Sequence, residues 1–131
     1  MSFTMSLRSV GASMVALALL CAAMAYAAPA APAKGNAAAG KAIYNVKCVA
    51  CHKIDGVGGL KLTGNPTPNW KDPKTWADPK RKNADAYMRD CITNGKLPSG
   101  MVAWSKQSPP IKPADIENLI AYIHVLAGHT K

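Results

Sequence analysis

Two thiols and an imidazole stand close together in the stretch KCVACHKIDG, at Cys48, Cys51 and His52. On a helix, positions three apart share a face and the next position lies beside them. Two thiols so placed can each reach a vinyl group along one edge of a porphyrin, and the imidazole then points at the metal. C-x-x-C-H therefore reads as covalent attachment of one c-type haem, with thioethers from Cys48 and Cys51 and with His52 on the iron. In a chain of this composition, chance would produce the pattern about 0.003 times. Three other chemistries compete. A disulfide between Cys48 and Cys51 leaves His52 without a role. A thioredoxin-like redox pair wants a βαβ setting, and none is visible. A zinc site needs two further ligands from Cys91, His124 or His129, and these show no recognised zinc spacing.

Held by His52 alone, haem iron would keep an open position. Met101 lies in Gly95-Lys96-Leu97-Pro98-Ser99-Gly100-Met101-Val102-Ala103-Trp104, a Pro/Gly loop that cannot stay helical. Such a loop can carry a thioether to the face opposite His52, which makes Met101 the leading second ligand. Met88 falls on the apolar face of an expected helix, where methionine more often packs in a core. His124 falls off the buried stripe of its helix and is expected to be exposed. His129 is expected in a mobile tail.

The elements that must position these residues are helical. Asn36 can cap a helix through Ala37-Ala38-Ala39-Gly40-Lys41-Ala42-Ile43-Tyr44, continuing to about the C-x-x-C segment. From Ile54 to Trp76 the chain is rich in Gly, Pro, Asn and Lys and reads as loop. A loop that long needs something to wrap around, and a haem supplies it. A second helix is expected from Asn83 or Ala84 through Ile92, with Ala84, Tyr87, Met88 and Cys91 on one face and Gly95 as its stop. A third begins near Pro113, with Asp115 and Glu117 at its start. Its buried stripe is Ile116, Leu119, Ile120, Ile123 and Leu126, and Gly128 ends it. No strand alternation and no internal repeat is visible. The expected fold class is all-α, with three main helices and long loops around one covalent haem.

The first 27 residues read as a secretory signal. Arg8 precedes the apolar run Val15 to Ala23, and Ala25-Tyr26-Ala27 offers the small–x–small cleavage pattern. The run is short for a membrane span, which needs about 20 residues. An uncleaved anchor is the alternative. Residues 28–35 form an Ala/Pro linker, 36–128 the domain and 129–131 a tail. Export would place the protein in the periplasm, where paired cysteines become disulfides. The three cysteines beyond the leader are an odd number, which argues against a plain disulfide framework. Cys91 is expected as a buried free thiol, with an intermolecular disulfide as the alternative. The formal net charge is +9. The positive residues are nearly all scattered lysines, without the arginine-rich or aromatic–basic pattern of nucleic-acid binding.

These residues together resemble the class I cytochromes c of the bacterial monohaem type, from about Asn36 to Leu126. The order matches: a Gly-bearing helix with Gly40 and Tyr44, C-x-x-C-H, a Gly/Pro loop, a short helix, a methionine loop, and an aromatic C-terminal helix with Leu119 and Tyr122. The resemblance implies that the two terminal helices cross closely, the glycine permitting the approach. It also implies a proline carbonyl on the far nitrogen of the axial histidine, which orients the ring. Pro68, followed by Asn69 and Trp70, is preferred to Pro66. Trp70 would line the haem crevice or donate to a propionate. One departure is Val102, where the family usually has proline after the ligand methionine, leaving that loop less constrained.

A six-coordinate His/Met haem has no open site for substrate, so the expected function is one-electron transfer, not enzymatic catalysis. Lys53, Lys61, Lys96 and Lys106 flank the haem segments and could steer the protein to an acidic redox partner. No stable membrane insertion is expected once the leader is cleaved, and a monomer is the default. The rival functions are a haem enzyme with an open iron and a dedicated haem subunit of a larger oxidoreductase complex.

Overall fold

The computed structural model describes residues 34–129. The expected leader (1–27), most of the linker, and Thr130 and Lys131 lie outside them. The described residues form five α-helices: α1 Ala37–Lys47, α2 Val49–His52, α3 Pro73–Ala77, α4 Ala84–Asn94 and α5 Pro113–Leu126. Short 3-10 turns lie at Pro79–Arg81, Leu97–Ser99 and Trp104–Lys106. Among the described residues there is no strand, only an isolated antiparallel bridge between Lys96 and Met101. The fold is all-α.

Local chemistry sets the helix starts. The Asn36 side chain accepts from Ala38 N (2.9 Å) and Ala39 N (3.1 Å) at the head of α1. Asn83 accepts from Ala86 N at 3.1 Å and caps α4. Each of these bonds satisfies a backbone donor that the first turn leaves without a helical partner. The same device opens α3, where Asp72 accepts from Lys74 N at 2.9 Å and Pro73 fills the first turn. The sequence reading put Trp76 at the end of a loop; it stands instead in this short helix.

The core is the crossing of α1 and α5. Only Gly40 and Tyr44 of α1 are buried, one helical turn apart. Helix α5 buries Ile116, Leu119, Ile120, Tyr122 and Ile123, and Leu119 is wholly enclosed. The rings of Tyr44 and Tyr122 meet edge to face, 5.3 Å between centroids and 68° apart. Such aromatic pairs contribute about 0.5–1.5 kcal/mol beyond their buried area. Helix α4 adds Met88 and Ile92 to the same core. Its Arg89 pairs with Glu117 of α5 through both carboxylate oxygens, at 2.5 and 2.9 Å. A two-pronged pair fixes the angle between helices better than a point charge can. None of the described helices is long and apolar enough to cross a membrane.

Candidate haem site

The kink between α1 and α2 places the C-x-x-C-H segment. Cys48 caps both helices, its N–H donating to Tyr44 O at 2.8 Å. His52 N then donates to Cys48 O at 2.9 Å, closing one turn. Two side chains tie down the end of that turn. Tyr44 donates its hydroxyl to Lys53 O (2.8 Å) and His52 O (3.3 Å). Thr67 donates its hydroxyl to Cys51 O at 3.0 Å and accepts from Leu60 N at 3.0 Å. Thus the phenol positions His52 and the threonine positions Cys51. Sequence reasoning missed Thr67, because its acceptor lies 16 residues away and no local pattern announces it.

The methionine loop is clipped. Lys96 N donates to Met101 O (2.8 Å) and Met101 N to Lys96 O (3.2 Å). Thr63 Oγ1 donates to Pro98 O at 3.0 Å and fastens the loop to the segment beneath. Ser105 Oγ donates to Thr93 O at 2.6 Å on the far side. The constraint that proline would supply after Met101 comes instead from these bonds, and Val102 is left exposed.

Between these elements lies a cavity of roughly 890 Å³, open mouth included. Cys48, His52, Pro68, Trp70 and Met101 all stand in its wall, with Met88, Ile92, Leu119 and Ile123 as apolar lining. Cys51 lines an adjoining cavity that shares Cys48, His52, Thr67, Ser99 and Met101 with the first. The structure therefore brings the expected residues together around one space. Cys91 lines it as well, as a half-buried free thiol. So do Arg81 and Tyr87, which sequence reasoning did not place there, and Lys96, which it read as flanking the haem segments. Lys96 Nζ contacts the Tyr87 hydroxyl, and the Arg81 guanidinium stands 5.4 Å from the Tyr87 ring centroid.

The electrostatics favour neutral ligands. Burial pushes the Cys48 thiol up to about 12, with Cys51 adding to the rise against the pull of Lys47. Burial pulls His52 below its ordinary value and so holds it as neutral imidazole, the form that binds metal. The imidazole lies nearly parallel to the Trp70 indole, 17° apart with centroids at 5.7 Å. Pro68 is in the cavity wall, but its carbonyl takes no bond from His52: Nδ1 is buried without a hydrogen-bond partner, and so is Trp70 Nε1. In this stacked orientation the ring is held by Trp70 rather than by a carbonyl. Two orphaned nitrogens in one cavity are rare in a finished core. With two thiols, an imidazole and a thioether around an apolar space, the site fits a haem. Among the described residues no group of three or more His, Cys, Asp or Glu is placed to hold a metal ion, so Cys91, His124 and His129 do not join Cys48 and Cys51 in one ligand set.

His124 and His129 lie away from this cavity. His124, expected to be exposed, is only 28% exposed; it bonds Asp85 through Nε2 at 2.7 Å and stacks on Trp76 with centroids 5.1 Å apart. His129 folds back against the same indole, 4.4 Å between centroids.

Comparison with known proteins agrees with this geometry. Residues 35–123 match the family model described as "Cytochrome C oxidase, cbb3-type, subunit III". Cytochrome c-555 of Chlorobaculum thiosulfatiphilum is 30% identical over 67% of this chain and 93% of its own length. The cbb3-type cytochrome c oxidase subunit CcoP of Azospirillum sp. (strain B510) is 33% identical over 72% of this chain; the match spans 30% of that subunit. Among solved structures, the KustC0563 c-type cytochrome is similar at 23% identity and a TM-score of 0.45, over 70% of this chain and 98% of that one. The family match contains the helix of Cys48, Cys51 and His52 and runs on into α5, so the chain belongs to the c-type cytochromes, in the family that bears that cbb3-type description.

Proposed function

We propose that this protein is an exported, periplasmic one-electron carrier holding a single covalent haem c, with Cys48 and Cys51 as thioether ligands of the macrocycle and His52 and Met101 on the iron. The observation that carries this reading is the presence of His52 and Met101 in the wall of one apolar cavity, each on a tethered segment. Bound haem would supply a one-electron couple. The chain supplies the rest. Neutral imidazole and neutral thioether are ligands for both oxidation states, so little needs to move between them. The clipped methionine loop holds Met101 in place, and with its sulfur on bound iron no open position would remain for substrate. Arg81, Lys96 and the free Trp70 Nε1 are suited to the two haem carboxylates. Lys53, Lys61, Lys96 and Lys106 are all exposed and would steer an acidic redox partner, so electron transfer should slow with added salt.

A second reading makes the chain a dedicated subunit of an oxidase complex. The similarity to a stretch of CcoP supports it, as do the exposed Val46 (83%) and Leu97 (78%).

The test is the optical spectrum of holoprotein matured in a host that attaches c-type haem. Ferric protein should show the weak far-red band of methionine-bound iron, and Met101→Ala should abolish it. If wild type lacks the band and reduced protein readily binds carbon monoxide, the closed carrier site is wrong. Isolation of the native protein with an oxidase core would favour the subunit reading.

A further inference from the structure

We propose that His124 and His129 form a second, haem-independent site for one divalent transition-metal ion of the zinc class, with Asp85 as the group that orients it. The two Nδ1 atoms face each other across 3.4 Å. A zinc ion binds imidazole nitrogen at about 2.0–2.1 Å, and two ligands of a tetrahedron at that radius stand about 3.3 Å apart. The observed spacing is therefore close to that of two ligands of one tetrahedral ion. The other nitrogen of His124 is already committed, since Nε2 lies 2.7 Å from Asp85 Oδ1. With its proton on Nε2 and donated to the carboxylate, His124 turns a lone pair on Nδ1 toward His129. Carboxylate, imidazole and metal in that order is the arrangement that fixes a metal-binding histidine and raises its basicity.

The backbone presets the pair. Gly128 has φ +75° and ends α5, and Gly128 N donates to Val125 O at 3.0 Å. His129 N then donates to His124 O at 2.8 Å. This double bond pattern is the Schellman close of a helix, which needs a left-handed residue at the glycine position. It folds the chain back so that the residue after the glycine stands over the last turn, beside His124. Trp76 of α3 forms one wall, its ring 5.1 Å from His124 and 4.4 Å from His129 by centroids. Both histidines are at least partly exposed, so an ion can enter and water can complete its shell. The chain has only three histidines, and the third, His52, is taken by the haem site.

The test is calorimetric titration of zinc chloride into the holoprotein. One ion per chain should bind in wild type and none in the His124→Ala/His129→Ala double variant, with helical circular dichroism unchanged. Asp85→Asn should weaken binding by about 10- to 100-fold, as losses of such orienting groups do. Gly128→Ala should also weaken it while leaving both ligands present. Absence of zinc binding in wild type, or equal binding in the double variant, overturns the site. The haem spectrum should be the same with and without zinc, so the outcome is independent of the iron ligands.

Discussion

A Cβ placed on Gly40 would stand 1.9 Å from the carbonyl oxygen of Asn118. At Gly40, α1 thus meets the backbone of α5 rather than a side chain. Gly40 is helical, so alanine there should gain about 0.5–1 kcal/mol from backbone entropy alone. The clash outweighs that gain, because backbone cannot rotate aside and overpacking commonly costs about 1–3 kcal/mol. Gly40→Ala should therefore lower stability by about 2 kcal/mol in urea unfolding of the holoprotein, the upper end of that cost less the entropic gain. A variant as stable as wild type would show that the helices can separate freely.

Lys53 has φ 60° and ψ 159°, directly after His52. That backbone region is essentially confined to glycine, and other residues there carry about 1–3 kcal/mol of strain. The bond from the Tyr44 hydroxyl to Lys53 O and the bond from Lys53 N to Val49 O at 2.8 Å hold it in place. Lys53→Gly should raise stability by about 1 kcal/mol after the entropic cost of glycine. A lower melting temperature would mean that the conformation is not strained in the folded holoprotein.

Met88 and Met101 both line the cavity, yet they should fail differently. Met88 is 4% exposed on α4. Met88→Ala should cost about 2–5 kcal/mol, as methionine truncation in a core does. The far-red band of the ferric protein should survive it. Loss of that band in Met88→Ala with Met101 intact would reverse the ligand assignment.

Much of this was legible from spacing alone. C-x-x-C-H is a local pattern, and α1, α4 and α5 are long enough for caps and apolar stripes to be read. Helix α3 is too short to show a period, so only its Asp72-Pro73 start could have revealed it. The surroundings of His124 were illegible for another reason. Its carboxylate partner Asp85 is 39 residues away, and its wall Trp76 belongs to the helix that went unread. The proline–histidine bond came from family resemblance, and here His52 lies against Trp70 instead.

Tyr44 makes the holoprotein sensitive to alkali. Burial pushes its phenol above the ordinary value of 10.0. The folded state therefore keeps the proton after the unfolded chain has begun to release it. Stability rises with pH only where the unfolded state binds more protons; here it binds fewer, so the sign is negative. The contribution of Tyr44 should be complete below about pH 10 and fall above it, by at most about 1.4 kcal/mol per pH unit. Ionisation would also remove the donor that holds Lys53 O and His52 O and set an anion against them. Tyr44→Phe lacks both the bonds and the titration. Near pH 8 it should be about 1 kcal/mol less stable than wild type, the usual net value of such a bond. Urea unfolding of both proteins from about pH 8 to 11 should show that gap closing above pH 10, with every other titration cancelling in the difference. A gap that stays constant to pH 11 would mean that the phenol ionises alike in both states, and that burial does not control it.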